Sequence, residues 1–224
     1  MLRAVLFDVD FTISRPGPEL HGGDGYRRVG ERHGVALDPS LYEEAREAAI
    51  LALKRHPDLD HDDELWVEFT ELIVGGMGGT GPDARACAAE LVRSWERHEN
   101  FDLYDDALPV LAELRARGLK LGLVSNTARD LEEFVVHHGI EVDAVLGSRS
   151  HGKTKPHRSI FEAALAQLGV GPAEAVMVGD SIEDDVEGAQ ALGMRAVLLD
   201  RDGRHPEVAD RIESLTALPA ALGF

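Results

Sequence analysis

Two aspartates stand one residue apart at the end of the first apolar run, in Leu6-Phe7-Asp8-Val9-Asp10-Phe11-Thr12. Two later apolar runs also stop on reactive polar groups: "LKLGLV" on Ser125 and Asn126, and "AVMVG" on Asp180, Ser181, Glu183, Asp184 and Asp185. Ahead of a helical stretch, "GKTKPH" supplies Lys153 and Lys155. Strand alternation puts Asp8 and Asp10 on one side if the extended conformation continues through Val9. Two carboxylates about 4 Å apart repel by roughly 4 kcal/mol at an effective dielectric of about 20. Asp180 and a further acid in the same place make a cluster that needs relief, either by protonation of one acid or by a bound cation. The cation fits better, because the donors are all hard oxygens and no histidine or cysteine joins them at matching strand ends. That donor set favours Mg²⁺, which takes one or two carboxylates, waters and a substrate phosphate.

The elements that must position these residues follow from periodicity. Strands are expected at 4–7, 119–125, 142–146, 175–179 and 195–199, with amphipathic helices at 106–117, 130–138, 157–168 and 184–192 between them. Gly118, Gly139, Gly169 and Gly193 close several of these helices. Strands alternating with helices imply an α/β fold, a Rossmann-like parallel sheet with helices on both faces. Ligands of such sheets bind beyond the carboxyl ends of the strands, where the polar residues above fall.

Residues 15–104 read differently, as helices at 24–33, 41–55, 62–74 and 83–99 without a strand. The expected organisation is therefore an α/β core domain of residues 1–14 and 105–224, with 15–104 inserted as an all-helical cap. Trp66 and Trp95 are expected in the cap core. The linker "GGMGGTGP", Gly75 to Pro82, reads as a mobile loop. It contains a formal G-x-G-x-x-G at Gly76, Gly78 and Gly81, but a helix precedes it, so no dinucleotide site is expected. Arg15, His21 and this linker are placed where a cap could face a substrate.

The 224 residues carry 23 Lys and Arg against 41 Asp and Glu, a formal net charge of −18, which disfavours nucleic acid or an anionic membrane as partner. No apolar run approaches the ~18 residues of a membrane span, and the N-terminus has no signal-peptide pattern. A soluble cytoplasmic protein, monomer or homodimer, is expected. The single cysteine, Cys87, reads as a small apolar helix residue. His137 and His138 suit a helix C-terminus, where an imidazolium meets the negative end of the dipole.

The order of the pieces resembles the haloacid dehalogenase-like (HAD) hydrolase superfamily, in particular its phosphatases with a helical cap inserted after the first motif. Asp8-Val9-Asp10-Phe11-Thr12 is similar to the family's D-x-D-x-T, Ser125 in "LVSN" to its second motif, Lys155 in "KTKPH" to its lysine before proline, and "VGDSIEDDVEGAQALGM" to its fourth. Only location and helicity link the cap to the family. The resemblance implies a small phosphate ester as substrate, with Asp8 attacking phosphorus to give an aspartyl phosphate. Asp10 would act as general acid and then as general base. Ser125, Asn126 and Lys155 would bind the phosphoryl oxygens. Asp8, the main-chain carbonyl of Asp10, Asp180 and Asp185 would hold Mg²⁺, with Asp184 competing for the last place and Lys153 competing with Lys155.

A phosphosugar mutase and a 2-haloacid dehalogenase share this framework; Asp10 counts against the latter, whose members usually lack a second aspartate there. A catalytically silent phosphate- or partner-binding module is the non-enzyme alternative. Phe11 departs from the glycine of many family members. On a continuing extended path its side chain would point away from the face shared by Asp8 and Asp10.

Overall fold

The computed structural model describes residues 1–20, 22–53, 55 and 57–224; His21 lies outside the described residues. In chain order, β1 (Ala4–Phe7) and β2 (Ser14–Pro16) precede four helices, α1 (Gly22–Arg32), α2 (Tyr42–Ala52), α3 (Asp63–Gly76) and α4 (Asp83–Trp95). There follow β3 (Phe101–Leu103), α5 (Ala107–Ala116), β4 (Lys120–Ser125), α6 (Leu131–His138), β5 (Ala144–Gly147), α7 (Ser148–His151) and α8 (Arg158–Leu168). Then come β6 (Ala175–Gly179), a π-helical turn over Ile182–Glu187 that runs into α9 (Gly188–Gln190), β7 (Arg195–Leu199), β8 (Arg211–Ile212) and α10 (Leu218–Ala221).

The chain divides into two compact units, Met1–Arg15 with Leu103–Phe224, and Pro16–Asp102. The first holds a six-stranded sheet in the order β5-β4-β1-β6-β7-β8, parallel throughout. Its strands are apolar on both faces. Ala4 and Leu6 pack with Ile160, Phe161, Ala164 and Leu168 of α8, while Val5 and Phe7, which alternate to the opposite face, are fully buried as well. Gly139 and Gly169 end α6 and α8 in the left-handed conformation (φ 63° and 64°), where a side chain would be strained.

The second unit packs α1–α4 around Tyr26, Val29, Ala45, Ile73, Val74, Ala84, Cys87, Ala88 and Leu91. The two tryptophans are not in this cluster. Trp66 and Trp95 are half-buried, and Trp95 meets Phe101 edge to face at 5.3 Å. Large apolar residues and alanines form the core together, and the helices approach closely where small residues face each other. A Cβ on Gly76 would lie 2.6 Å from that of Ala45 on α2. Gly75 and Gly76 therefore belong to the last turn of α3 and not to a loop. The helix expected over 83–99 stops at Trp95 and gives way to a 3₁₀ turn at His98–Asn100. Burial pushes the Cys87 thiol up to about 11, as suits an inert core residue.

Candidate active site

β1 lies between β4 and β6, and the chain proceeds from it first to one side of the sheet and later to the other. A crevice forms at such a reversal of strand order. The Asp8 N–H still donates to the Val178 carbonyl at 2.9 Å, so the ladder holds this residue at the mouth of the sheet. Ser125 ends the neighbouring β4, and Asp180 directly follows β6.

Asp185 arrives from the π-helical turn. The Ser181 hydroxyl accepts the Asp184 N–H, and the Ser181 N–H donates to Asp185 Oδ2 at 3.1 Å. A Cβ on Gly179 would fall 2.1 Å from that same oxygen, so only glycine leaves room for the carboxylate. With Asp185 1% exposed, one oxygen each from Asp8, Asp180 and Asp185 lies within 4.8 Å of the others.

Lys155, 2% exposed, donates from Nζ to Asp8 Oδ1 and to Asp185 Oδ1, both at 2.6 Å. Burial raises the Asp8 carboxyl well above its usual range; Lys155 opposes the shift, and the charges of Asp185 and Asp180 add to it. Burial and then the charge of Asp185 push Asp180 from 3.8 up to about 7. Burial disfavours the Lys155 ammonium, but Asp185 and Asp8 outweigh it and hold the group above the ordinary lysine value. Among the described residues, Asp8 and Asp185 thus share the Lys155 ammonium, and Asp180 lies beside them. Their oxygens are hard donors and short of positive charge, a set that fits a divalent ion such as Mg²⁺.

Past Val9 the extended path ends, contrary to the simple strand reading. The N–H groups of Thr12, Ile13 and Ser14 all donate to the Val9 carbonyl, at 3.3, 2.9 and 2.9 Å, and Phe11 has φ 63°. Phe11 thus occupies a conformation that favours glycine. Because the loop folds back here, the Asp10 carboxylate accepts from Ser14 Oγ at 3.2 Å and, on both oxygens, from Arg129 Nη2 at 3.0 and 3.1 Å. Thr12 is fully buried, its hydroxyl 3.5 Å from Asp180 Oδ1.

A sequence model of the haloacid dehalogenase-like hydrolases matches residues 2–193. The chain belongs to this family. It is 32% identical over 224 residues to a glyceraldehyde 3-phosphate phosphatase of Methanopyrus kandleri, covering 94% of this chain and 89% of that protein. It is 42% identical over 133 residues to a phosphoserine phosphatase of Thermus thermophilus, but this match spans 58% of the chain and only about half, 52%, of the relative. Among solved structures, a HAD phosphatase from Thermococcus onnurineus superposes with a TM-score of 0.68 at 31% identity, covering 99% of this chain and 98% of that one.

In this HAD-like hydrolase Asp8, Asn126, Lys155 and the Asp180–Asp185 stretch come together from four separate segments. Of the two lysines, Lys155 carries its ammonium to Asp8. Of the two adjacent acids, Asp185 joins the cluster, while Asp184 accepts from Asn126 Nδ2 at 3.2 Å. The Asn126 side chain also brackets Lys155, accepting its N–H at 2.6 Å and donating to its carbonyl at 3.0 Å. That side chain is therefore committed to holding the lysine's backbone. Arg15 is exposed and stacks over the Tyr104 ring at 5.1 Å.

Sequence reasoning missed Arg129. In "SNTARD" it falls between the strand expected to end at 125 and the helix expected from 130; in the structure it is 2% exposed and bonded to Asp10. Asp130 caps the N-terminus of α6, its side chain accepting from the Glu132 and Glu133 N–H groups. Among the described residues, no helix is long and apolar enough to cross a membrane.

Proposed function

We propose that this hydrolase is a Mg²⁺-dependent phosphatase that acts on a small phosphorylated metabolite through an aspartyl phosphate on Asp8. The observation that carries this reading is the buried Asp8 carboxylate at the sheet's point of reversal, 2.6 Å from the Lys155 ammonium and clustered with Asp180 and Asp185. The names of the curated relatives, a phosphoserine and a glyceraldehyde 3-phosphate phosphatase, support the substrate class.

In the first step an Asp8 oxygen bonds to phosphorus as the ester oxygen leaves, taking a proton from Asp10. In the second, water attacks phosphorus, returns a proton to Asp10 and frees Asp8 and inorganic phosphate. One residue serves both steps because the first leaves it in the protonation state that the second requires. Ser125, the main chain at Asn126, and Lys155 bind the phosphoryl oxygens. Asp8, Asp180, Asp185 and the main-chain carbonyl of Asp10 would hold Mg²⁺, which supplies positive charge against those oxygens when bound. The helical unit, Pro16–Asp102, acts as the cap that chooses among substrates.

The purified protein is expected to hydrolyse 4-nitrophenyl phosphate with Mg²⁺ and to lose at least about a thousandfold in rate in Asp8→Asn. Hydrolysis that survives both this substitution and a chelator overturns the mechanism. A panel of phosphorylated metabolites with Mg²⁺ then identifies the substrate.

A further inference from the structure

Arg129 is a buried guanidinium that neither the first motif nor the acid cluster accounts for. Its side chain is 1% exposed, against 17% for its partner Asp10. A buried ion pair of this kind is at best neutral for stability compared with apolar packing, so its presence calls for another explanation. The geometry around it is over-determined. The guanidinium lies over the Phe134 ring of α6 at 5.1 Å, and the Arg129 N–H donates to Thr127 Oγ1 at 3.0 Å. The Thr127 N–H is in turn tied to the Ser148 hydroxyl at 2.9 Å. An arm held at its base and along its face delivers one nitrogen to both oxygens of Asp10, and Ser14 Oγ donates to one of those oxygens as well.

We propose that Arg129 is a positioning residue that aims the Asp10 carboxyl for proton transfer to and from the reacting phosphate ester. The proposal rests on the phosphatase reading above. The bonds made and broken stay those of that reaction: Asp8–P forms as P–O(ester) breaks, with a proton passing from Asp10 to the leaving oxygen. Water–P then forms as Asp8–P breaks, with a proton passing from the water to Asp10. Arg129 touches neither phosphorus nor the leaving group. Its contribution is to limit the rotations open to Asp10, so that the proton is presented in one direction. Ser14, on the first motif's own loop, bonds one oxygen of the carboxylate; Arg129 reaches both from the loop after β4, 119 residues away.

The test exploits leaving-group chemistry. 4-Nitrophenyl phosphate releases a stable phenolate and needs little protonation, whereas phenyl phosphate has the same shape and needs much more. In Arg129→Met, which keeps most of the packing volume, kcat/KM is expected to fall about tenfold or more further for phenyl phosphate than for 4-nitrophenyl phosphate. Arg129→Lys, which restores a cation without the planar fork, should recover part of that difference. In an Asp10→Asn background, Arg129→Met should add no further discrimination, because the residue it acts through is gone.

Equal losses for both substrates, no loss, a gain in rate, or the full discrimination persisting on top of Asp10→Asn would each overturn the proposal. Equal losses with a lowered melting temperature would assign Arg129 to folding alone. If the unmodified protein hydrolysed neither ester with Mg²⁺, the phosphatase reading itself would fall, and the positioning role with it.

Discussion

In the helical unit, Arg27 meets Glu31, Arg32 meets Glu90 and Arg85 meets Glu71 on the surface, where every partner keeps at least 30% of its side chain exposed. In the α/β unit, Lys155 meets Asp8 and Asp185 with no partner more than 10% exposed. Exposed pairs contribute about 0.2–1 kcal/mol each and are screened by salt. Buried charges repay their desolvation poorly, and removing one partner leaves the other stranded. The helical unit keeps these pairs in water and packs its core from apolar side chains such as Tyr26, Ile73, Val74 and Leu91. The α/β unit tolerates a costly cluster, which is what a site for charged chemistry requires.

The largest break in this contrast comes from Lys155→Met. It leaves Asp8, Asp180 and Asp185 without their ammonium and is expected to lower stability by about 3 kcal/mol in denaturant titrations with a chelator present. The loss should be smaller at pH 5 than at pH 8, because the stranded acids can then take up protons. An unchanged midpoint at pH 8 would show that Lys155 does not hold the cluster together.

A smaller effect follows from Asp180, whose folded value of about 7 lies above its ordinary 3.8. Between those values the folded protein retains a proton that the unfolded chain has lost, so this group's contribution to stability declines as pH rises from about 4 to about 7. Without divalent ions, the melting temperature of the unmodified protein should fall relative to that of Asp180→Asn from pH 5 to pH 8. Mg²⁺ should recover more of it at pH 8 than at pH 5, since the cation then replaces the missing proton. Parallel pH profiles for the two proteins would remove the coupling.

Phe11 sharpens the comparison at the level of the backbone. Phe11→Ala and Phe11→Gly both delete the ring, and only glycine relieves φ 63°, so Phe11→Gly should be more stable than Phe11→Ala by about 1 kcal/mol. Equal stabilities would place no strain at this turn. The smallest effect belongs to the helical unit. Arg85 pairs with both Glu71 and Glu64, yet Arg85→Ala should shift stability by no more than about 0.5 kcal/mol and leave hydrolysis unchanged. A loss of several kcal/mol there would erase the distinction between the two units.

Much of the architecture was readable from periodicity. Strands expected at 4–7, 175–179 and 195–199 occur at those residues, and the one expected at 142–146 is displaced to Ala144–Gly147. The two-residue strand Arg211–Ile212 was not readable, because so short an edge strand carries no period. The stretch expected as a helix over 184–192 begins instead as a wide turn at Ile182. That turn lets the Asp185 carboxylate sit against Gly179, a contact without a local sequence signature.

The sequence by itself determined the fold class and which strand ends carry acids, because a period of two residues or 3.6 and the residue that ends each run are local properties. Local composition could not say which of Asp184 and Asp185 turns inward, since adjacent residues on a helical turn point in different directions. Nor could it pair Lys155 with Asp8, 147 residues distant, or Arg129 with Asp10, 119 residues distant. Only tertiary structure decided those contacts, because the stacking of parallel strands, and not the chain between them, sets which loops meet at the mouth of the sheet.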